Sequence, residues 1–319
     1  MQTRKEPVTV PFNKRRLKVG LELTSKCNLR CGMCPLPVLR RPYEDMDWSL
    51  VEKAEREIHG FGLELKWLHE MGEPLIYPRI DDAIRLFPEA SLSTNGLLLD
   101  EAIGARLLDA RLRRIRICVD TVNREAYPHL RTGGDFDEVV ARTRGFLEQA
   151  KRHPIEIEIQ KMRSRLTLEE KVEDFYALFD LRRFGNARVI EKTCEGLDVN
   201  EETDLHGKFY GCVQGAFFTW VVIFADGRVT HCCYDAHGDQ VIGDLRTQSL
   251  AEIVAGEKFD RMYRAFRDRD FTELPRCGEC FKHGGESSAF NDVLTRIQQL
   301  PDAAKDMVRK VIDVRYRGE

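Results

Sequence analysis

Val19-Gly20-Leu21-Glu22-Leu23-Thr24-Ser25-Lys26-Cys27-Asn28-Leu29-Arg30-Cys31-Gly32-Met33-Cys34 is a strand-like run that leads directly into three cysteines spaced C-x3-C-x2-C. Three thiolates on one tight loop can hold three irons of a [4Fe–4S] cube, and the fourth iron then stays open to a substrate or cofactor. Structural zinc takes four protein ligands, and no fourth ligand lies close to Cys27, Cys31 and Cys34 in the chain. Within the strand, alternation of period two sets Glu22 on the face opposite Leu21 and Leu23. A charge there is costly without a partner or a function, so Glu22 is either an ion-pair member or a candidate base.

Outward from this segment, the first two-thirds of the chain alternates strand-like and helix-like stretches. Residues 19–23, 65–69, 90–93, 115–119, 155–160 and 187–191 read as strands. Residues 49–58, 100–111, 135–151 and 167–179 read as amphipathic helices, with Ser49 and Thr167 as N-caps. Strands alternating with helices imply βαβ units and a parallel sheet, and right-handed crossovers curl six such units into an open barrel. The pattern changes near residue 200. Residues 198–206 are polar, residues 216–224 are apolar and aromatic, Ala225-Asp226-Gly227-Arg228 signals a turn, and Val229 resumes the strand pattern as a β-hairpin. A helix over 250–265 follows, and Pro301 divides a helical C-terminal stretch. The expected fold class is α/β, a partial (β/α)6 barrel with a small C-terminal α+β domain of β-hairpin plus helix. The boundaries are an arm over 1–18, the barrel over 19–205, the cluster domain over 206–285 and a helical extension over 286–319.

Composition narrows the function classes. A net charge of −3 over 319 residues argues against a broad nucleic-acid surface, and the basic cluster of Lys14, Arg15, Arg16 and Lys18 reads as a solvated arm. No apolar run is long enough to span a bilayer and no signal peptide is seen, so a cytoplasmic location is expected. Ten cysteines in such a chain favour metal ligands or reactive thiols over disulfides. Cys212, Cys232, Cys277 and Cys280 form a second set, C-x19-C-x44-C-x2-C, that can saturate a cluster or hold structural zinc. Cys118, Cys194 and Cys233 are left over, each either a small buried hydrophobe or a hydrogen-atom donor.

The first cysteine loop, placed after a strand of a βαβ series, resembles the signature of the radical S-adenosylmethionine (SAM) superfamily. Further stretches resemble that family. Met71-Gly72-Glu73-Pro74 is similar to its GGEP motif, Ser93-Thr94-Asn95-Gly96 to its third-strand end, Ile117-Cys118-Val119-Asp120 to its fourth-strand SxD, and Tyr127 to Gly134 to the YxxxRxGG turn containing Arg131. The resemblance implies SAM chelated to the open iron and cleaved to a 5′-deoxyadenosyl radical, with Gly72, Glu73, Pro74, Ser93, Asn95 and Gln160 near SAM. The segment around Cys232, then Ile242-Gly243-Asp244-Leu245 and Cys277-x2-Cys280, resembles the SPASM/Twitch extension, which implies one auxiliary cluster and two [4Fe–4S] clusters in all. The family pattern favours Cys232 over Cys233 as ligand.

The compact form resembles dehydrogenases that oxidise a carbinol of a sugar or aminocyclitol to a ketone in natural-product biosynthesis. In that reading Glu22, Asp120, Arg131, Glu191 and Lys192 are candidates for the inner wall, His69 ends the second strand, and an electron donor such as flavodoxin or ferredoxin is the partner. A redox-neutral epimerase, with Cys118, Cys194 or Cys233 returning a hydrogen atom, is the alternative, and a peptide-modifying maturase is a third.

Overall fold

The computed structural model describes residues 17–194, 220–268 and 270–278. Cys212, Cys280, most of the expected N-terminal arm and the expected C-terminal helical extension lie outside them.

Six strands follow one another in parallel: β1 (Lys18–Leu21), β2 (Leu65–Trp67), β3 (Ser91–Thr94), β4 (Arg114–Asp120), β5 (Glu156–Arg163) and β6 (Ala187–Thr193). Among the described residues six α-helices lie between them, α1 (Trp48–Gly60), α2 (Ile80–Leu86), α3 (Glu101–Asp109), α4 (Tyr127–Leu130), α5 (Phe136–Ala150) and α6 (Val172–Phe179). This is the expected α/β architecture, with each strand's neighbour in space also its neighbour in sequence.

Alternation in β4 and β5 sorts the two sides of the sheet. Ile115, Ile117, Val119, Ile157 and Ile159 are buried in the core, and α5 packs over β4. The residues between them face the interior of the barrel and pair across strands, Arg116 with Glu158 and Cys118 with Gln160. Arg116 bonds Glu158 at 2.8 Å and Arg188 of β6 bonds the same carboxylate at 2.5 Å.

Beyond residue 219 the sheet continues. β7 (Trp220–Ile223) pairs in parallel with β1 over four residues, and β8 (Arg228–Thr230) and β9 (Val241–Asp244) follow antiparallel. The expected hairpin is therefore a direct extension of the barrel sheet, a long-range pairing that no local pattern encodes. The helix expected over 250–265 is two helices, α7 (Leu250–Val254) and α8 (Glu257–Asp268), separated at Ala255-Gly256.

Two caps differ from expectation. Asp47, not Ser49, caps α1, because its carboxylate takes the Ser49 N–H at 2.8 Å and lets the helix start at Trp48. Helix α6 starts at Val172, because the Thr167 hydroxyl closes the preceding turn instead, accepting from Ser164 N at 2.9 Å and donating to Met162 O at 2.5 Å. Among the described residues no helix is long and apolar enough to cross a membrane.

Candidate active site

The functional side chains gather at the C-terminal ends of the parallel strands, where barrel folds carry their chemistry. The cysteine loop leaves β1. Cys34 N donates to Cys31 O at 3.2 Å to form a tight turn, and Leu29 N donates to the Cys27 sulfur at 3.4 Å. Tyr43 pins the entry, its hydroxyl taking Cys27 N at 2.6 Å, and Arg30 N holds Thr132 O at 2.9 Å. Gly72 supports the root of the loop. Its φ is +82°, and a Cβ there would stand 2.4 Å from Thr24 O, so only glycine fits. Glu73 N can then donate to Lys26 O at 2.8 Å, docking the Met71–Glu73 stretch onto the loop.

Burial pushes the Cys27 and Cys34 thiols up to about 11, so loading iron must release protons. The Arg131 guanidinium lies 3.7 Å from the Cys31 sulfur. Three cysteines on one loop, with an N–H directed at one sulfur and a guanidinium at another, fit a thiolate-held iron–sulfur cluster. Among the described residues no three His, Cys, Asp or Glu converge on a single-ion site.

The strand ends around the loop are tied together. Glu73 accepts from Leu75 N at 3.1 Å, Thr94 Oγ1 at 2.7 Å and Asn95 N at 2.7 Å, so its carboxylate fastens β2 to β3. Pro74 is buried and opens a short 3-10 turn after it. Asn95 reaches the cysteine loop, its Nδ2 donating to Asn28 Oδ1 at 2.8 Å. Asp120, at the end of β4 with a φ of +71°, is fully buried. It takes Arg131 Nε at 2.5 Å and Gln160 Nε2 at 2.7 Å, and so aims Arg131 at Cys31. Ser93 Oγ and Cys118 Sγ are 3.3 Å apart on neighbouring strands, and burial raises the Cys118 thiol.

Glu22, a candidate base in the sequence, is a buried ion-pair member. Arg41 grips both its oxygens at 2.5 Å, and Met71 N and Ala225 N donate to it at 3.0 and 3.2 Å. Arg41 Nε in turn donates to Ala236 O at 2.6 Å, beyond Cys232 and Cys233. One short segment after the first cysteine loop therefore holds the auxiliary region. Glu191 pairs with the buried Lys161 at 2.7 Å. His69 is held neutral, burial and then Lys192 and Arg116 pushing it down to about 3.

Sequence reading missed Glu70. It follows His69 immediately before Met71-Gly72-Glu73, and its place past the end of β2 was the available signal. Burial, then the Glu22 carboxylate, raises its pKa well above the usual carboxylate value.

In the auxiliary region Tyr234 N donates to the Cys232 sulfur at 3.4 Å. A bond to Cys233 lowers the Cys232 thiol and raises that of Cys233, which favours Cys232 as the thiolate. Cys277 is buried, 3.0 Å from Gln240 Oε1 and 3.9 Å from His231 Nε2. Cys194 is buried at the end of β6, where its N–H donates to Arg163 O at 2.8 Å.

Residues 21–154 match the radical SAM superfamily, and residues 212–281 match the SPASM iron–sulfur cluster-binding domain. A protein named probable GTP 3′,8-cyclase from Archaeoglobus fulgidus is 32% identical over 123 residues, covering 38% of this chain and 41% of that protein. The chain thus spans about two-fifths of that relative's length. Among solved structures, native anSMEcpe with bound AdoMet aligns with a TM-score of 0.60 at 16% identity, covering 91% of this chain and 100% of that one. BtrN in complex with AdoMet and 2-DOIA aligns with a TM-score of 0.51 at 16% identity, covering 79% and 89%. At these identities the structural likeness speaks for the fold.

Proposed function

Because residues 21–154 match the radical SAM superfamily and residues 212–281 the SPASM iron–sulfur cluster-binding domain, we propose that the chain removes a hydrogen atom from a carbinol carbon of a small sugar or aminocyclitol-type substrate and oxidises that carbon to a ketone. SAM and [4Fe–4S] clusters are its cofactors, and when bound they supply the hydrogen-abstracting radical and a one-electron acceptor. Cys27, Cys31 and Cys34 would hold the catalytic cluster, and Cys232 and Cys277, with Cys212 and Cys280, the auxiliary one. Arg131, held by Asp120, whose other oxygen takes Gln160, sets a positive charge beside Cys31. The backbone around Gly72, with Ser93, Asn95 and Gln160, would receive SAM.

One observation carries this reading. β7 continues the barrel sheet, and Cys233 in the auxiliary region feels the charges of Glu70 past β2 and Lys192 on β6. That nearness of the Cys232–Cys233 stretch to the inner face of the barrel supports electron transfer from a substrate radical. A second reading, the redox-neutral epimerase, is favoured by Cys118. Its raised pKa keeps an S–H on the inner face, where it could return a hydrogen atom.

The test is anaerobic turnover of the reconstituted, reduced protein in D2O with SAM, following 5′-deoxyadenosine and substrate mass over a panel of aminocyclitols, aminosugars and GTP. A product lighter by two hydrogens supports the dehydrogenase. Unchanged connectivity with one solvent deuterium replaces it with the epimerase, and GTP conversion replaces both. Cys31→Ala is expected to abolish SAM cleavage; cleavage at the wild-type rate would overturn the assignment of the loop.

A further inference from the structure

In the auxiliary region one buried amide stands the wrong way round for a metal-bound cysteine. Gln240 ends the loop that runs from Cys232 into β9, and it is only 7% exposed. Its backbone is fixed at both polar atoms. The N–H donates to Asp235 Oδ2 at 2.9 Å, and the carbonyl accepts from Thr230 Oγ1 at 3.3 Å. Asp235 is itself buried and also takes Thr230 Oγ1 and Asp239 N, each at 2.8 Å, so the loop is built around that one carboxyl group. The Gln240 side chain is thereby delivered to Cys277, with Oε1 3.0 Å from Sγ. Its Nε2 is buried and has no hydrogen-bond partner among the described residues.

While Cys277 is a thiol, its S–H can donate to Oε1. A cysteine that binds iron has lost that proton. Oε1 would then face a thiolate, acceptor against acceptor, while the amide N–H groups stay buried and unused. Turning the amide over cures both faults at once. Oxygen and nitrogen exchange places with almost no change of shape, and Nε2 comes to the position 3.0 Å from Sγ that Oε1 now holds. The backbone need not move, because the loop already holds Gln240 by its main chain. His231 Nε2, the other nitrogen near this sulfur, stands farther off at 3.9 Å.

We propose that Gln240 is a positioning residue for the auxiliary cluster: its Nε2 donates an N–H···S hydrogen bond to the Cys277 thiolate, and this bond raises the cluster's reduction potential. This rests on the reading that Cys277 is an auxiliary ligand. A donor to a ligand sulfur draws off electron density and stabilises the reduced cluster. Within the proposed oxidation, the bond makes the auxiliary cluster a better acceptor for the electron left on the substrate radical. No bond to carbon is made or broken at Gln240.

The experiment is a redox titration of the anaerobically reconstituted full chain followed by electron paramagnetic resonance, with SAM added to set the catalytic cluster's signal apart from the auxiliary one. Gln240→Leu keeps the bulk and removes the donor. It should make electron acceptance by the auxiliary cluster about tenfold less favourable, a midpoint potential lower by about 59 mV, and leave the catalytic cluster unmoved. If Oε1 kept facing the sulfur, losing an acceptor would raise the potential instead. A raised or unchanged auxiliary potential in a Gln240→Leu protein that holds both clusters would overturn the proposal. The wild type gives a second reading that needs no variant. Glutamine labelled with nitrogen-15 in its side-chain amide should show a coupling to the reduced auxiliary cluster in pulsed resonance, and absence of that coupling overturns the proposal as well. A wild type that assembles one cluster only would sink the auxiliary assignment of Cys277 and this inference with it. Two clusters with a potential indifferent to Gln240→Leu would sink the role of the amide alone.

Discussion

On the outer face of β4 and β5, Ile115, Ile117, Val119, Ile157 and Ile159 are buried in the hydrophobic core, while on the inner face of the same strands Arg116, Cys118, Glu158 and Gln160 stand among other polar groups. The outer face gains its stability from apolar area removed from water, without direction. The inner face is organised by pairing, each charge fixed by a partner on the next strand or loop. The difference teaches how to find a site in such a barrel: on an inner face built from satisfied pairs, the informative groups are those without one.

Four substitutions break or sharpen that contrast. Arg41→Ala should be the most damaging, because it strands the fully buried Glu22 carboxylate; a loss of about 3–5 kcal/mol in urea unfolding is expected. Ile117→Ala on the outer face should cost about 2–5 kcal/mol by the same measurement, the cost of a cavity against α5. Arg116→Gln on the inner face should cost only about 1–2 kcal/mol, since Arg188 still holds Glu158. If Arg116→Gln proved as costly as Ile117→Ala, the division of labour between the faces would fail.

The smallest effect has the opposite sign. The folded pKa of Glu70 lies above its ordinary value of 4.5, so the folded state favours the protonated acid. Its contribution to stability is full below that value and is lost as the pH rises through the folded pKa. Glu70→Gln should therefore melt at a higher temperature than the wild type at neutral pH, and the gain should vanish as the pH falls below 4.5. A variant less stable than the wild type at neutral pH would show that Glu70 has a structural partner after all.

Much of the site was legible because its signals are local. C-x3-C-x2-C, Gly72 before Glu73, and Asp120 ahead of Arg131 each need only a few residues of context. Their roles were less so. Glu22 read as an ion-pair member or a candidate base with no partner to name, because Arg41 meets it only when the segment after the cysteines folds back. Glu70 was passed over for the converse reason: an unpaired carboxyl group cannot be told from a paired one until every neighbour is in place.

The sequence by itself determined the strand–helix alternation, the two-faced strands and the cysteine loop, since periodicity and ligand spacing are written within short stretches of chain. Only the tertiary structure decided that β7 docks on β1 and carries the auxiliary region to the barrel, and which charges at its mouth are paired. Strand pairing across two hundred residues and the meeting of side chains from separate loops depend on how the whole chain closes, and no local pattern specifies that closure.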